Sequence, residues 1–514
     1  MTARRAARAL WWDAPMPPEH RTTLRVALFG AVLGALLSWV TSRGLIDDTY
    51  ITLSYARNLA EHGHWGMTPG LMSNAATSPL NVALLAGCLL LVQPFAGMDG
   101  ELALGVLTTL LGALAGWWSA RAAARLELSA AWPAAALVVV LANPFLVSAL
   151  GLEVVLLFTA MTGLLAAGLA GRPVLYGLVA AAGLLARLDM VVFVVVLALA
   201  CTGILRRLPL AVLACVVACL PWFAFSWWWL GSAIPDTFVI KTNQRNFGEG
   251  RTYLRGLWTH YAPNTPLTVA VSVVAAALGV LVLALLVLSL LRRRARPGTG
   301  GLLGLGVGGV GYFAVYSVLG VPPYQWYYVP PMAALSFVAV LGTGVLLGRR
   351  AVRRPGAVVA GALAVAALAG LVVSVPATAR SLPWPYPPVF ANFATPAEYR
   401  RIGAEVGRVV GDQRVASPGE IGTLAYSCDC EIIDQFSDPS YLQGVIDART
   451  AESGPLLRRL LEFNYTHRDP PPAQPTPFVL RWTDAGADPA LGIDSWPTTQ
   501  GTWQRRSVLV LLPG

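Results

Sequence analysis

Two adjacent carboxylates, Asp47 and Asp48, open the stretch Asp47-Asp48-Thr49-Tyr50-Ile51, directly after the first long apolar run. Neighbouring carboxylates repel, and burying either costs free energy unless it is paired or protonated. A carboxylate so placed is suited to take the proton from an attacking hydroxyl. Read at ~100° per residue, 46–61 forms a helix with Asp47, Tyr50, Ser54, Arg57, Asn58 and Glu61 on one side. Thr49, Thr52, Leu53, Ala56, Leu59 and Ala60 fall on the other, with Asp48 about a quarter turn off the polar face, beside Tyr55. Asp47 is therefore the expected base, and Asp48 its orienting neighbour. Tyr50, Arg57, Asn58 and, in the following loop, His64 are the expected substrate contacts. Two other readings fit the pair: acids complementing a helix N-terminus, and ligands to a divalent metal.

A second set of reactive groups lies in 231–251, around Ile234-Pro235-Asp236-Thr237-Phe238-Val239-Ile240-Lys241. Lys241 is the sole lysine among the 37 basic residues, and Arg245 and Arg251 follow it closely. Lysine binds phosphate as a compact point charge, so these three cations are candidate phosphate contacts; a snorkelling interfacial lysine is the plainer reading. Tyr324, Gln325 and Tyr327, in Pro322-Pro323-Tyr324-Gln325-Trp326-Tyr327-Tyr328, offer a lipid or sugar platform or an interfacial belt. Charges inside apolar runs are costly in hydrocarbon. Arg187 and Asp189 suit a mutual ion pair at a helix break, and Glu153 either caps a helix or contacts a substrate hydroxyl.

The elements that position these groups follow from composition. The chain is 56% hydrophobic and 12% charged over 514 residues, which excludes an ordinary soluble protein and reads as mainly α, polytopic and membrane-embedded. The net charge of +10 comes from arginines flanking apolar runs and marks topology, not a nucleic-acid partner. Residues 1–21 read as a cytoplasmic N-terminus and 22–41 as a signal anchor. Further apolar runs follow at 79–95, 101–120, 132–150, 152–170, 173–186, 190–206, 208–230, 264–291, 301–320, 327–348 and 356–375. The positive-inside rule gathers Arg121, Arg125, Arg206, Arg207, Arg292 to Arg294 and Arg349 to Arg354 on the cytoplasmic side only if 79–95 does not span. That leaves about eleven spans of near ~20 residues, an external loop at 42–100, and an external soluble domain at 376–514.

The soluble domain reads as small and α/β, with strands at 414–418, 431–436, 478–482 and 507–512 and a short helix at 420–426. Cys428 and Cys430 lie there; an oxidising compartment permits a disulfide, which so short a loop would strain. Cys88, Cys201, Cys215 and Cys219 sit in apolar runs as packing residues. No repeat is apparent, which counts against an inverted-repeat transporter.

An external base, an external cation and aromatic walls at a bilayer surface meet the needs of a lipid-linked phosphosugar. Its phosphate sits at headgroup level, and a cation there would stabilise charge on the departing lipid phosphate. The quoted Asp47-Asp48-x-Tyr50-Ile51, then Tyr55-Ala56-Arg57-Asn58-Leu59-Ala60, Gly63 and Thr77-Ser78-Pro79-Leu80 resemble the polytopic C-type glycosyltransferases. The actinobacterial arabinofuranosyltransferase B-like branch is the most similar. Gly151-Leu152-Glu153, Arg187-Leu188-Asp189 and Pro235-Asp236-Thr237-Phe238 with Lys241 extend the resemblance over about 40–250. Asp189-Met190 departs from it, since related proteins often follow that acid with glycine.

The resemblance implies a catalytic first aspartate in the first external loop and inverting transfer from a polyprenyl-phosphate sugar to a cell-envelope glycan. It implies no cofactor, with arabinofuranose ahead of mannose as the sugar. A polyprenyl monophosphate has less need of a metal than a diphosphate, which disfavours the metal reading of the pair. The expected location is a bacterial plasma membrane. A lipid flippase and a non-catalytic assembly protein are the competing classes.

Overall fold

A computed structural model describes residues 18–243, 252–294, 296–348, 354–484, 492–499 and 506–514. Lipid offers no partner to a backbone amide, so the apolar runs close their hydrogen bonds internally as helices. In chain order the first eleven are α1 (Pro18–Thr41), α2 (Asp47–His62), α3 (Pro79–Ala96), α4 (Gly100–Arg125), α5 (Ala131–Leu141), α6 (Pro144–Ser148), α7 (Val154–Leu169), α8 (Pro173–Ala186), α9 (Val191–Ala200), α10 (Thr202–Leu205) and α11 (Leu208–Trp229). Then come α12 (Thr237–Asn243), α13 (Tyr253–Gly256), α14 (Pro266–Leu291), α15 (Thr299–Val318), α16 (Val329–Leu347) and α17 (Arg354–Ser374).

Small residues set the closest helix pair. Gly30 lies against Gly112, Gly34 against Thr108 and Gly116 against Val26, so α1 and α4 run antiparallel with their backbones nearly touching. A Cβ on Gly30 or Gly112 would collide with the facing carbonyl.

Among the described residues eight helices are long and apolar enough to cross a membrane, and α3 is one of them by length and composition. Its neighbours place it differently. At its start, Asn81 donates to the carbonyl of Gly151, whose neighbour Leu150 accepts from Thr49. Just past its end, Gly100 lies against Leu53 and Tyr426. Thr49 and Leu53 are one turn apart on α2, about 6 Å along the axis, so both ends of α3 lie at the same end of the bundle. Leaving out α3 and adding the four shorter apolar helices gives eleven traverses. The helices then alternate so that Arg121, Arg125, Arg206, Arg207 and Arg292 to Arg294 gather at the end opposite the C-terminal domain. Arg349 to Arg353 lie outside the described residues.

The C-terminal domain holds α18 (Pro396–Val410), β1 (Arg414–Ala416), α19 (Gly422–Cys428), β2 (Glu431–Ile433), α20 (Gln443–Glu452), α21 (Pro455–Asn464), β3 (Phe478–Asp484), β4 (Asp494–Thr499) and β5 (Arg506–Pro513). Its sheet runs β2-β1-β3-β5-β4, with β1 parallel to β2 and β3 and the β3–β5–β4 side antiparallel. Thr395 and Glu398 cap α18 reciprocally, and Tyr399, Ile402, Val406 and Val410 form its buried stripe. β4 has no counterpart among the expected strands; it is an edge strand, where its proline is tolerated. Cys428 and Cys430 are joined as a disulfide.

Candidate active site

The helix that starts with the carboxylate pair is pinned by the C-terminal domain. Asp47 is 4% exposed. Its Oδ2 accepts the amide of Gly422 at 2.8 Å and its Oδ1 that of Thr423 at 2.7 Å, the first two amides of α19. Burial pushes its carboxyl up from the usual range, and those amides oppose the shift. Gly422 passes so close to the Asp47 carbonyl that no side chain fits there.

Glu420 stands beside this contact and accepts from Asn392 at 2.9 Å, from the Phe393 amide at 3.0 Å and from the Tyr399 hydroxyl. Burial, with the Asp47 charge second, raises it to about 8. The Tyr50 hydroxyl donates to Glu101 at 3.0 Å, and Arg400 of α18 pairs with the same carboxylate. Arg57 lies 4.4 Å over the Tyr426 ring and donates to its carbonyl at 3.3 Å.

Asp47, Tyr50 and Arg57 therefore form a docking face. A second domain satisfies this polar helix face as well as solvent or substrate would. Asn58 is also spoken for: it turns inward to the carbonyls of Gly66 and Met67, both at 2.9 Å, and shapes the loop. His64 sits in that loop with Nε2 buried and without a hydrogen-bond partner among the described residues.

Asp48 is only partly buried. Burial raises its carboxyl to about 6 against the pull of Lys241, while Asp47 and Glu153 push the same way as burial. Lys241, on α12, donates from Nζ to the Tyr327 hydroxyl at 3.2 Å. Its Nζ lies 5.0 Å from the Tyr324 ring centre, 5.3 Å from Trp326 and 5.4 Å from Tyr327. No carboxylate forms an ion pair with it among the described residues, so a cation faces an aromatic wall with donor capacity to spare.

Two anchors hold α12. Asp236 pairs with Arg468 at 2.8 Å and accepts from Ser232 at 3.0 Å, and its amide donates to Asn74. Val239 and Ile240 share a small core with Leu442, Ile446 and Leu461 of the C-terminal domain. Asp236 thus braces α12.

Arg187 sits at the break between α8 and α9. It bonds Glu153 at 2.8 Å, Asp189 at 2.6 and 2.9 Å and the Tyr316 hydroxyl at 2.9 Å, with the Tyr327 ring 4.8 Å away. Tyr312 and Tyr316 also donate to Asp189. This is the expected ion pair, enlarged by Glu153 and two tyrosines. Gln325 donates to the Ser148 carbonyl at 3.2 Å and fixes the aromatic loop. Arg187→Met is expected to cost about 3–5 kcal/mol, because it leaves the buried Glu153 and the half-buried Asp189 without their cation; thermal unfolding in detergent, compared with the wild type, measures it.

Asp48, Glu153, Arg187, Asp189, Lys241, Tyr324 and Tyr327 thus come together, whereas Asp47, Tyr50, Arg57, Asn58 and Asp236 are engaged in contacts with other parts of the chain. Arg245 and Arg251 lie outside the described residues. Sequence reasoning missed Tyr312, Tyr316, Trp326, Arg400 and Glu420. The i, i+4 tyrosines on an apolar span were the available signal, since a buried Arg–Asp pair needs further hydrogen-bond partners. Among the described residues no three His, Cys, Asp or Glu side chains are placed to hold a metal.

No family model matches the chain, and no curated protein sequence does. Solved structures do. ArnT from Cupriavidus metallidurans bound to undecaprenyl phosphate is similar at TM-score 0.56 and 16% identity, over 94% of this chain and 97% of that one. The same protein in its apo state is similar at TM-score 0.54 over the same shares. At this identity the likeness shows the fold alone: the chain shares the polytopic helical architecture of ArnT.

Proposed function

We propose that the chain is an inverting glycosyltransferase that moves a sugar from a polyprenyl-phosphate donor to a cell-envelope glycan on the external face of the membrane, with arabinofuranose as the sugar. The observation that carries this reading is a partly exposed carboxylate, Asp48, within the field of Lys241, a lysine with no ion-pair partner among the described residues and set in an aromatic wall, where the bundle meets its soluble domain. Undecaprenyl phosphate bound to ArnT, a protein of the same fold, supports a polyprenyl phosphate as the donor. The Cys428–Cys430 disulfide supports an oxidising, external compartment for the domain. The choice of arabinofuranose rests on the sequence resemblance over about 40–250 alone.

Asp48, not Asp47, is the base in this scheme. The acceptor hydroxyl attacks C1 and gives its proton to Asp48 while the bond from C1 to the phosphate oxygen breaks. Lys241 stabilises the charge that grows on the departing lipid phosphate. Arg187, held by Glu153 and Asp189, fixes the floor beneath the Tyr327 ring.

Transfer by the purified chain in nanodiscs, with labelled polyprenyl-phosphoryl arabinofuranose or mannose as donor, tests the scheme. The competent base is the ionised form, present above its pKa and lost as pH falls. kcat/KM is therefore expected to drop about tenfold per pH unit below about 6. A rate that stays flat through that range removes Asp48 as base. Donor movement between leaflets without a new glycosidic bond would identify a flippase instead.

A further inference from the structure

The helix α21 has three faces, and two are accounted for. Leu461 enters the core shared with Val239 and Ile240, with Leu457 packed against it. Arg458, Glu462 and Tyr465 line a cleft of about 540 Å³ with Asp447 and Thr450. The third face carries Leu456, Leu460 and Phe463 at i, i+4 and i+7, a single stripe on a helix. These side chains are 75%, 57% and 60% exposed. A soluble domain rarely leaves three large apolar side chains in one open row.

The row runs into the membrane-spanning bundle. Its last member, Phe463, stacks on Trp227 with ring centres 4.9 Å apart, and the Trp227 indole donates to the Phe463 carbonyl at 2.9 Å. His467, past the end of α21, stacks on Trp228 at 5.4 Å. Trp227, Trp228 and Trp229 are the last residues of the span α11, and Trp228 and Trp229 are themselves open. Tryptophan at the end of a span marks the interface between acyl chains and headgroups. Arg459, also exposed, flanks the stripe at the position where a cation meets lipid phosphate.

We propose that α21 is a membrane-surface helix: Leu456, Leu460 and Phe463 enter the lipid interface beside the tryptophans of α11, and Arg459 reaches the headgroups. The occupant of this face is the bilayer and not another protein, because the stripe continues the lipid-facing edge of a span. The seat is independent of the chemistry proposed for Asp48. Through Leu461 it would also hold α12 level with the membrane surface.

The full chain in phosphatidylethanolamine–phosphatidylglycerol nanodiscs, spin-labelled at Leu460→Cys, tests this. The Cys428–Cys430 disulfide is retained, and the signal from the labelled wild type, with free Cys88, Cys201, Cys215 and Cys219, is subtracted. The label is expected to be relaxed by oxygen and shielded from a water-soluble nickel chelate, whereas the same label at Arg408→Cys, an exposed site on α18, shows the reverse. Leu456→Cys, on the same stripe, is expected to repeat the Leu460 result if that variant alone misfolds. Chelate access equal to that at Arg408 would overturn the proposal by placing the stripe in water. Shielding from both reagents would overturn it in favour of a second copy or another protein on this face.

Discussion

Asp48→Asn is expected to lower transfer by roughly 10²–10⁴-fold while donor binding and thermal stability stay near wild type. The change is nearly isosteric and removes the proton acceptor. Asp47→Asn is expected to act by another route. Asp47 receives two α19 amides, one on each oxygen, and an asparagine amide group can accept only one of them. The other is left facing a donor, at a cost of about 1–3 kcal/mol. Asp47→Asn should therefore loosen the C-terminal domain, read as a lower unfolding temperature and faster proteolysis within 376–514. Its residual transfer should keep an acid limb that belongs to Asp48, moved to lower pH because the Asp47 charge that helps raise it is gone. A fully stable Asp47→Asn that has lost transfer, beside an active Asp48→Asn, would return the base to Asp47.

Lys241→Ala is expected to cost roughly 10²-fold in transfer, the scale for losing one preorganised donor to developing charge. The fold should survive, since Lys241 makes one hydrogen bond, to Tyr327, and no ion pair among the described residues. Lys241→Arg should rescue in part. Its planar head keeps the charge but must fit among Tyr324, Trp326 and Tyr327. Initial rates at limiting and saturating donor, with calorimetry of the lipid phosphate alone, separate binding from chemistry. Wild-type rates for Lys241→Ala at limiting donor would hand the phosphate role to another cation.

Much of the architecture was legible without coordinates. A run near ~20 apolar residues is a local property, and so is an arginine cluster at its end, so the traverses and their alternation could be read along the chain. Residues 79–95 were legible for the same reason: only a non-spanning helix brings the arginine clusters to one side, and the structure places both ends of α3 near α2. The Arg187–Asp189 pair was legible because an ionised group in an apolar run must find its opposite nearby. The edge strand at Asp494–Thr499 was not, since its pairing with β5 depends on a partner and not on its own composition.

Tertiary structure alone separated the two carboxylates. Helical periodicity put Asp47 at the head of a polar face, and that geometry is correct: Asp47, Tyr50 and Arg57 do share a side. What periodicity cannot say is what lies against that side. The answer comes from α19, more than 370 residues later, whose amides claim Asp47 and leave Asp48 partly open beside the field of Lys241. By itself the sequence determined that a carboxylate pair, a lone lysine and an aromatic loop stand at one membrane boundary. Which carboxylate is buried and which stays partly open was decided by domain docking, because a buried acid is held by the donors that reach it, and those donors are brought there only by the fold.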